Sequence, residues 1–188
     1  MDTYAKIKLD LQNFKALPIA VNCLNPVMGV GNLNSQIVFI GEAPGAKEDL
    51  EGLPFVGRSG KLLDELLESI NLNRQEIYIT NIVKFRPPEN RDPTSAEKLA
   101  CTPFLTRELN LIQPKLVCSL GRHAMNFFNP TAKISEAHGN PLQISNPEFS
   151  NLILFPLYHP AVGLYNPKQK ATLFEDFQKL NTLLQTNF

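Results

Sequence analysis

A short apolar run at residues 37–40 stops at Gly41, and Glu42-Ala43-Pro44-Gly45 then forces the backbone through a sharp turn. Such a run reads as a strand buried on both faces, and in an open α/β sheet ligands bind at the carboxyl ends of the strands. Glu42 is thus a carboxylate on a rigid turn, with glycines nearby that let a ligand approach the backbone. By itself the pattern fits a capped strand–helix turn equally well. Two more polar side chains occur at comparable places: Asn81 follows the apolar stretch 77–80, and His159 follows the stretch 152–155. A carboxylate suits acid–base work, an amide offers a donor beside an acceptor, and an imidazole can donate to a developing anion. Phe55, in the glycine-bearing loop 48–57, gains nothing from water. It either plugs the core or waits for a flat ligand.

The intervening elements decide whether these groups can meet. Tyr4, Ile7, Leu11 and Phe14 have helical spacing, and that helix ends before Pro18; residues 22–34 read as loop. Ser59 is placed to cap a helix whose stripe is Leu62, Leu63, Leu66, Leu67 and Ile70. After the strand at 77–80, Pro87, Pro88 and Pro93 forbid regular structure. Thr94-Ser-Ala-Glu97 has capping-box form and opens a helix towards Ile112. Residues 116–120 form a third strand closed by Gly121, followed by a short helix over 124–128. Residues 130–150 are a minor excursion near the sheet edge, 152–155 a fourth strand, and 168–184 a last helix with Leu173, Phe177, Leu180 and Leu184 inward. Strands separated by helices predict an α/β fold, a three-layer αβα sandwich around a central four-stranded, mostly parallel sheet. The whole chain, 1–188, is expected to be one domain. On that architecture Glu42, Asn81 and His159 all fall at strand exits and share one mouth.

Composition narrows the classes. Lysine plus arginine equals aspartate plus glutamate, 18 each, so any contact with nucleic acid must rest on local charge. The three cysteines give no disulfide framework, and neither an apolar signal segment nor a membrane-length run is present; a cytoplasmic protein, expected to be a monomer, fits.

Several blocks then become recognisable in order: Gly-Glu-Ala-Pro-Gly at 41–45, Glu48-Asp49, Leu-Pro-Phe-Val-Gly at 53–57, Thr-Asn-Ile-Val-Lys at 80–84, Arg-Pro-Pro-Glu-Asn-Arg at 86–91 and Tyr-His-Pro-Ala at 158–161. Together they resemble the family 4 uracil-DNA glycosylases, over roughly residues 14–184. The resemblance implies a base-excision repair enzyme that flips uracil out of DNA, hydrolyses its N-glycosidic bond and leaves an abasic site. It implies stacking of the base on Phe55, with Gly41 beside it and Glu48 near its C5. Asn81 would read the N3–H donor and O4 acceptor that distinguish uracil from cytosine, and His159 would donate to O2 of the leaving anion. Where the superfamily's best-known members place an Asp, this chain has Ala43, so Glu42 is the nearest carboxylate to orient water. Lys84, Arg86, Asn90 and Arg91 look placed to meet phosphates. Leu164 and Tyr165 are candidates to wedge into the base stack, with Tyr165 standing where relatives often have Arg. His123 and His138 receive no role.

The chain departs from the family at its cofactor. Family 4 members usually hold a 4Fe–4S cluster on four cysteines, but Phe14, Leu17 and Phe85 stand at three of those positions and only Cys101 matches. One thiolate cannot hold such a cluster, so the expectation is no cofactor, with an apolar plug in its place. Competing readings are a glycosylase for another deaminated or mismatched base, a catalytically weakened DNA- or uracil-binding protein, and a flavodoxin-like nucleotide module.

Overall fold

The computed structural model describes residues 2–144 and 147–187. Its centre is four parallel strands: β2 (Ile37–Gly41), β3 (Tyr78–Asn81), β4 (Leu116–Leu120) and β6 (Ile153–Leu157). Their spatial order is β3-β2-β4-β6, and an antiparallel two-residue strand sits at each edge, β1 (Val30–Gly31) against β3 and β5 (Leu142–Gln143) against β6. The sheet therefore has six strands where the sequence predicts four. Two residues are too short to show a period, so the edges fell within the expected loop and excursion.

Alternation along the strands feeds two separate cores. Val38, Ile40 and Val117 face one side, with α1 (Tyr4–Asn13), α2 (Pro18–Asn22), α5 (Ser95–Ile112) and α6 (Arg122–Phe128); α7 (Ile134–Ala137) adds Ala137 to that side. Phe39, Cys118 and Phe155 face the other, against α4 (Arg58–Glu68) and α8 (Pro167–Asn187). Helices on both faces bury nearly all of the four central strands, the αβα sandwich expected of parallel strands. The capping box at Thr94 and Glu97 forms as read. Three local readings differ. Residues 46–51 form α3 (Ala46–Glu51), so the loop read over 48–57 begins only at Gly52. The N-terminal helix stops at Asn13 and a second short one restarts at Pro18, because Pro is favoured in a helix's first turn. Gly57, not Ser59, caps α4, and Ser59 lies inside its first turn.

Lys84, expected at phosphates, is fully buried and ion-paired with Glu108 of α5. Glu108 also accepts hydrogen bonds from Gly29 N (2.9 Å), Tyr78 Oη (3.2 Å) and Thr80 Oγ1 (3.0 Å). Burial and the charge of Glu108 push the Tyr78 hydroxyl up, so it stays a donor. Lys84 thus locks β3 to α5 and cannot meet the phosphates expected of it. Removing one partner of a buried pair strands the other charge, so Lys84→Ala is expected to cost about 3–5 kcal/mol in urea unfolding. Its signature is a lower urea midpoint, read by circular dichroism. His138 is likewise structural: its Nδ1 lies 2.6 Å from the buried carboxylate of Asp176.

Candidate active site

Backbone hydrogen bonds bring the strand exits together. Ile82 N donates to Gly41 O (3.0 Å) and Val83 N to Glu42 O (2.9 Å), tying the turn after β2 to the residues after β3. Gly121 N donates to Leu157 O (2.8 Å), doing the same for β4 and β6. Because β3 and β4 lie on opposite sides of β2, these exits flank a topological switch point, where such sheets bind ligands.

A cavity of about 150 Å³ opens there, lined by Ala43, Gly45, Glu48, Phe55, Ser59, Asn81 and His159. It is smaller than the roughly 300–1,000 Å³ of sites for drug-sized ligands, and suits a single flat ring. A larger, shallow hollow of about 500 Å³ lies elsewhere, between Asp64 and Arg74, and holds none of these groups. Gly41 pairs in register with Asn81. A Cβ on Gly41 would collide with the Asn81 amide oxygen and approach Phe55 to 2.6 Å, so only glycine lets amide and ring close over the turn.

Phe55 is held in a costly conformation. Its φ of 53° lies in the left-handed region, a strain of about 1–3 kcal/mol for a bulky residue. Arg74 donates to Pro54 O (2.9 Å) and Phe55 O (3.1 Å) while pairing with Asp64 (2.7 Å). From the other side Glu48 Oε1 accepts from Val56 N (3.1 Å) and Gly57 N (2.9 Å). Glu48 is therefore a strut for this loop as well as a wall of the cavity. The Phe55 and His159 rings stand 5.8 Å apart, tilted by 30°.

The Asn81 side chain is almost wholly buried, yet no protein hydrogen bond engages its amide among the described residues. The amide's donor and acceptor open onto the cavity and are free to pair with a ligand there. His159 is oriented differently. Ala161 N donates to its Nδ1 (3.1 Å), so the neutral ring carries its proton on Nε2. Burial pulls its pKa down to about 4, against the opposing pull of Glu48, and the ring is neutral near pH 7.

Glu42 does not join that cavity wall; its carboxylate turns towards His123, 3.6 Å from Nε2. Burial raises its pKa, partly offset by His123. His123, to which the sequence reading gives no role, follows the β4 exit just as Asn81 and His159 follow theirs, so the strand-exit rule finds it. Arg74, far in sequence from any motif, carried no such signal.

The expected phosphate contacts divide. Arg86 Nε donates to Asn90 Oδ1 (2.9 Å) on an exposed loop. Arg91 forks onto Glu97 (2.8 and 2.7 Å), anchoring that loop to α5 and holding the Glu97 carboxyl down to about 2. Leu164 packs partly buried against the α4–α8 core and is not free to wedge, whereas Tyr165 is 73% exposed. Arg58 hydrogen-bonds the Tyr165 hydroxyl, with its guanidinium carbon 5.4 Å from the ring centre. A guanidinium thus stands beside Tyr165 although the residue itself is not arginine.

At the positions of the family's cluster ligands the packing is apolar. Phe14 stacks on Phe85 (5.7 Å) and meets Phe104 edge-on (5.4 Å). Leu17 and the buried Cys101 belong to the same core cluster. Burial pushes the Cys101 thiol up, away from the thiolate a metal needs. These residues do not fit an iron–sulfur cluster.

Comparison with known proteins agrees with this geometry. Residues 28–185 match the uracil DNA glycosylase superfamily. A type-4 uracil-DNA glycosylase of Sulfurisphaera tokodaii is 40% identical over 99% of this chain and 87% of its own. One from Saccharolobus solfataricus is 45% identical, covering 86% and 77%. One from Archaeoglobus fulgidus is 44% identical, covering 85% and 82%. The solution NMR structure of a candidate uracil DNA glycosylase from Methanosarcina acetivorans shares the fold, with a TM-score of 0.52 at 12% identity, over 84% of this chain and 98% of that one. No helix among the described residues is long and apolar enough to cross a membrane. With the strand-exit pocket, the sequence blocks and these relatives in agreement, the chain belongs to the uracil DNA glycosylase superfamily, among the type-4 uracil-DNA glycosylases.

Proposed function

We propose that this protein excises uracil from DNA by hydrolysing the N-glycosidic bond, leaving an abasic site. The observation that carries this reading is the unpaired Asn81 amide facing the same small cavity as Phe55 and the Nε2–H tautomer of His159. The target base is extruded from the stack and lies on Phe55, where stacking contributes about 1–3 kcal/mol. The Asn81 carbonyl accepts from N3–H and its amino group donates to O4, a pairing that cytosine reverses. As the C1′–N1 bond breaks, its electrons pass to the base. His159 Nε2–H then donates to O2, where the charge collects. The Glu42 carboxylate stabilises the cationic sugar and takes a proton from the water whose oxygen bonds to C1′; that proton passes to solvent, and the uracil anion takes one up at N1 as it leaves. Arg58, Arg86 and Tyr165 meet the flanking backbone, with Arg91 mainly holding its loop. An oligonucleotide carrying one uracil, single-stranded or in duplex, should break at that site on alkali treatment after incubation. Tight binding without scission would instead mark a weakened binding protein.

The same chain works without an iron–sulfur cluster. Support comes from the aromatic and aliphatic side chains packed at three ligand positions, and from the four thiolates such a cluster requires. Protein purified without oxygen should contain far less than one iron per chain, and chelator treatment should leave its melting temperature unchanged. Stoichiometric iron with a visible absorbance shoulder would overturn this. The protein is taken to act as a monomer in the cytoplasm.

A further inference from the structure

We infer that His123 is a positioning residue for Glu42, the middle of a relay Asp92–His123–Glu42 that holds the carboxylate of the catalytic turn and couples it to the proline-rich loop. This rests on the role proposed for Glu42 in uracil excision.

Three chain segments meet at this point. His123 is in the first turn of α6, Asp92 closes the loop after β3, and Glu42 is in the turn after β2. His123 Nε2 lies 3.1 Å from Asp92 Oδ2 and 3.6 Å from Glu42 Oε1. The first is a hydrogen bond, and the second is a charge contact that one small shift or one water would close. The Glu42 and His123 side chains are 27% and 19% exposed and Asp92 is 61% exposed, so the relay runs outward from a sheltered carboxylate to solvent.

The neighbours select the proton's place. Lys98 Nζ, which can only donate, stands 3.4 Å from His123 Nδ1. Both carboxylates, which can only accept when ionised, face Nε2. The Nε2–H form accepts from Lys98, donates to Asp92 and turns its proton towards Glu42, whereas the other neutral tautomer would accept from Arg122 Nε but turn a lone pair towards two anions. Arg122 Nε lies 3.2 Å from Nε2 and loses that contact when Nε2 carries the proton, but its guanidinium keeps the bond from Nη2 to Asp92 Oδ2 at 2.7 Å in either tautomer.

The donor atoms of Glu42, Asp92 and His123 lie within 4.8 Å of one another, a set that could suggest a divalent cation. Lys98 and Arg122 already place two positive charges on those ligands, and a metal would have to displace Arg122 from Asp92. The arrangement instead holds a carboxylate in place within a balanced set of charges. Among the charged neighbours of Glu42, His123, Lys98 and Arg122 favour its ionised form, and Asp92 opposes it.

The experiment compares wild type, His123→Ala, His123→Gln, Glu42→Gln and the double variant Glu42→Gln/His123→Ala, with folding checked by thermal melts. Single-turnover excision is followed across pH, and DNA affinity is measured separately. His123→Ala should slow excision about tenfold near pH 7, leave affinity within about twofold and move the acidic limb of the rate profile to higher pH, because Glu42 loses a neighbour that favours its ionised form. His123→Gln, which keeps an N–H donor, should recover most of the rate. On the Glu42→Gln background, removal of His123 should have almost no further effect. Additive losses, an unmoved acidic limb, a rate loss matched by weaker DNA binding, or activity abolished by chelator and restored by a divalent metal would each overturn the assignment. If the wild type leaves uracil in place, the excision reading fails by itself. The coupling is then read from the Glu42 carboxyl titration by carbon NMR, which should move to higher pH in His123→Ala and, if unmoved, rejects the relay.

Discussion

Replacing His159 with Ala should lower the single-turnover rate of uracil excision by about 10²–10³, the usual loss on removing one pre-aimed donor to a developing oxyanion. DNA affinity should change little, because O2 of the intact nucleotide carries little of the charge that appears on bond breaking. His159→Gln should recover part of the loss, since its amide also donates. The structure adds a pH signature. Burial holds the ring's pKa to about 4, so the neutral Nε2–H donor persists as pH falls from 8 to about 5. Below about pH 4 the ring gains a proton on Nδ1, which then faces the Ala161 N–H donor, and the cap that orients the ring is lost. The same depressed pKa bears on stability. The unfolded chain binds this proton near pH 6.5 and the folded one only near 4, so folding stability should fall as pH drops through that window. His159→Gln should remove that part of the dependence, read from urea midpoints at successive pH values.

Asn81→Asp should separate base reading from bond cleavage. The carboxylate can still accept from N3–H but cannot donate to O4, and it places a negative charge beside that oxygen. A buried partner left unpaired costs about 1–3 kcal/mol, so excision of uracil should fall by roughly 10–100-fold. Cytosine, with an amino donor at C4, becomes better tolerated, and the ratio of uracil to cytosine excision should collapse by more than the uracil rate alone. Competing oligonucleotides carrying each base in one sequence context measure that ratio. An unchanged ratio would remove Asn81 as the reading group. Gly41→Ala should mimic part of the defect without touching the amide's chemistry, because its methyl group would enter the space of Phe55 and the Asn81 oxygen.

The two outcomes bear on different parts of the pocket, and they were legible in the sequence to different degrees. Asn81 and His159 were readable because each follows an apolar run with a defined exit, and parallel strands place such exits together. Glu42 is readable for the same reason, and so is the position of its partner His123, which also follows a strand exit; what the sequence does not reveal is that the two side chains meet. No motif block surrounds His123. The phosphate contacts show the opposite failure. Lys84 occurs beside Arg86 in a basic stretch, and nothing local reveals that its side chain turns inward to meet Glu108, 24 residues on. Leu164 was an apolar residue in an exposed-looking loop, and the packing of α4 and α8 drew it in.

The sequence by itself determined the α/β class, the four central strands, the capping of the long helix, the family and the pocket's amide, ring and imidazole. These are consequences of short-range patterns: period, breaker residues and ordered motif blocks. Tertiary structure decided which charges face water and which are spent inside, that Phe55 is braced by Arg74 and Glu48, that two edge strands complete the sheet, and that Glu42 looks towards His123. Each depends on groups distant in the chain coming within a few ångströms. Charge burial, hydrogen bonding and packing are settled by that proximity, which no local pattern encodes.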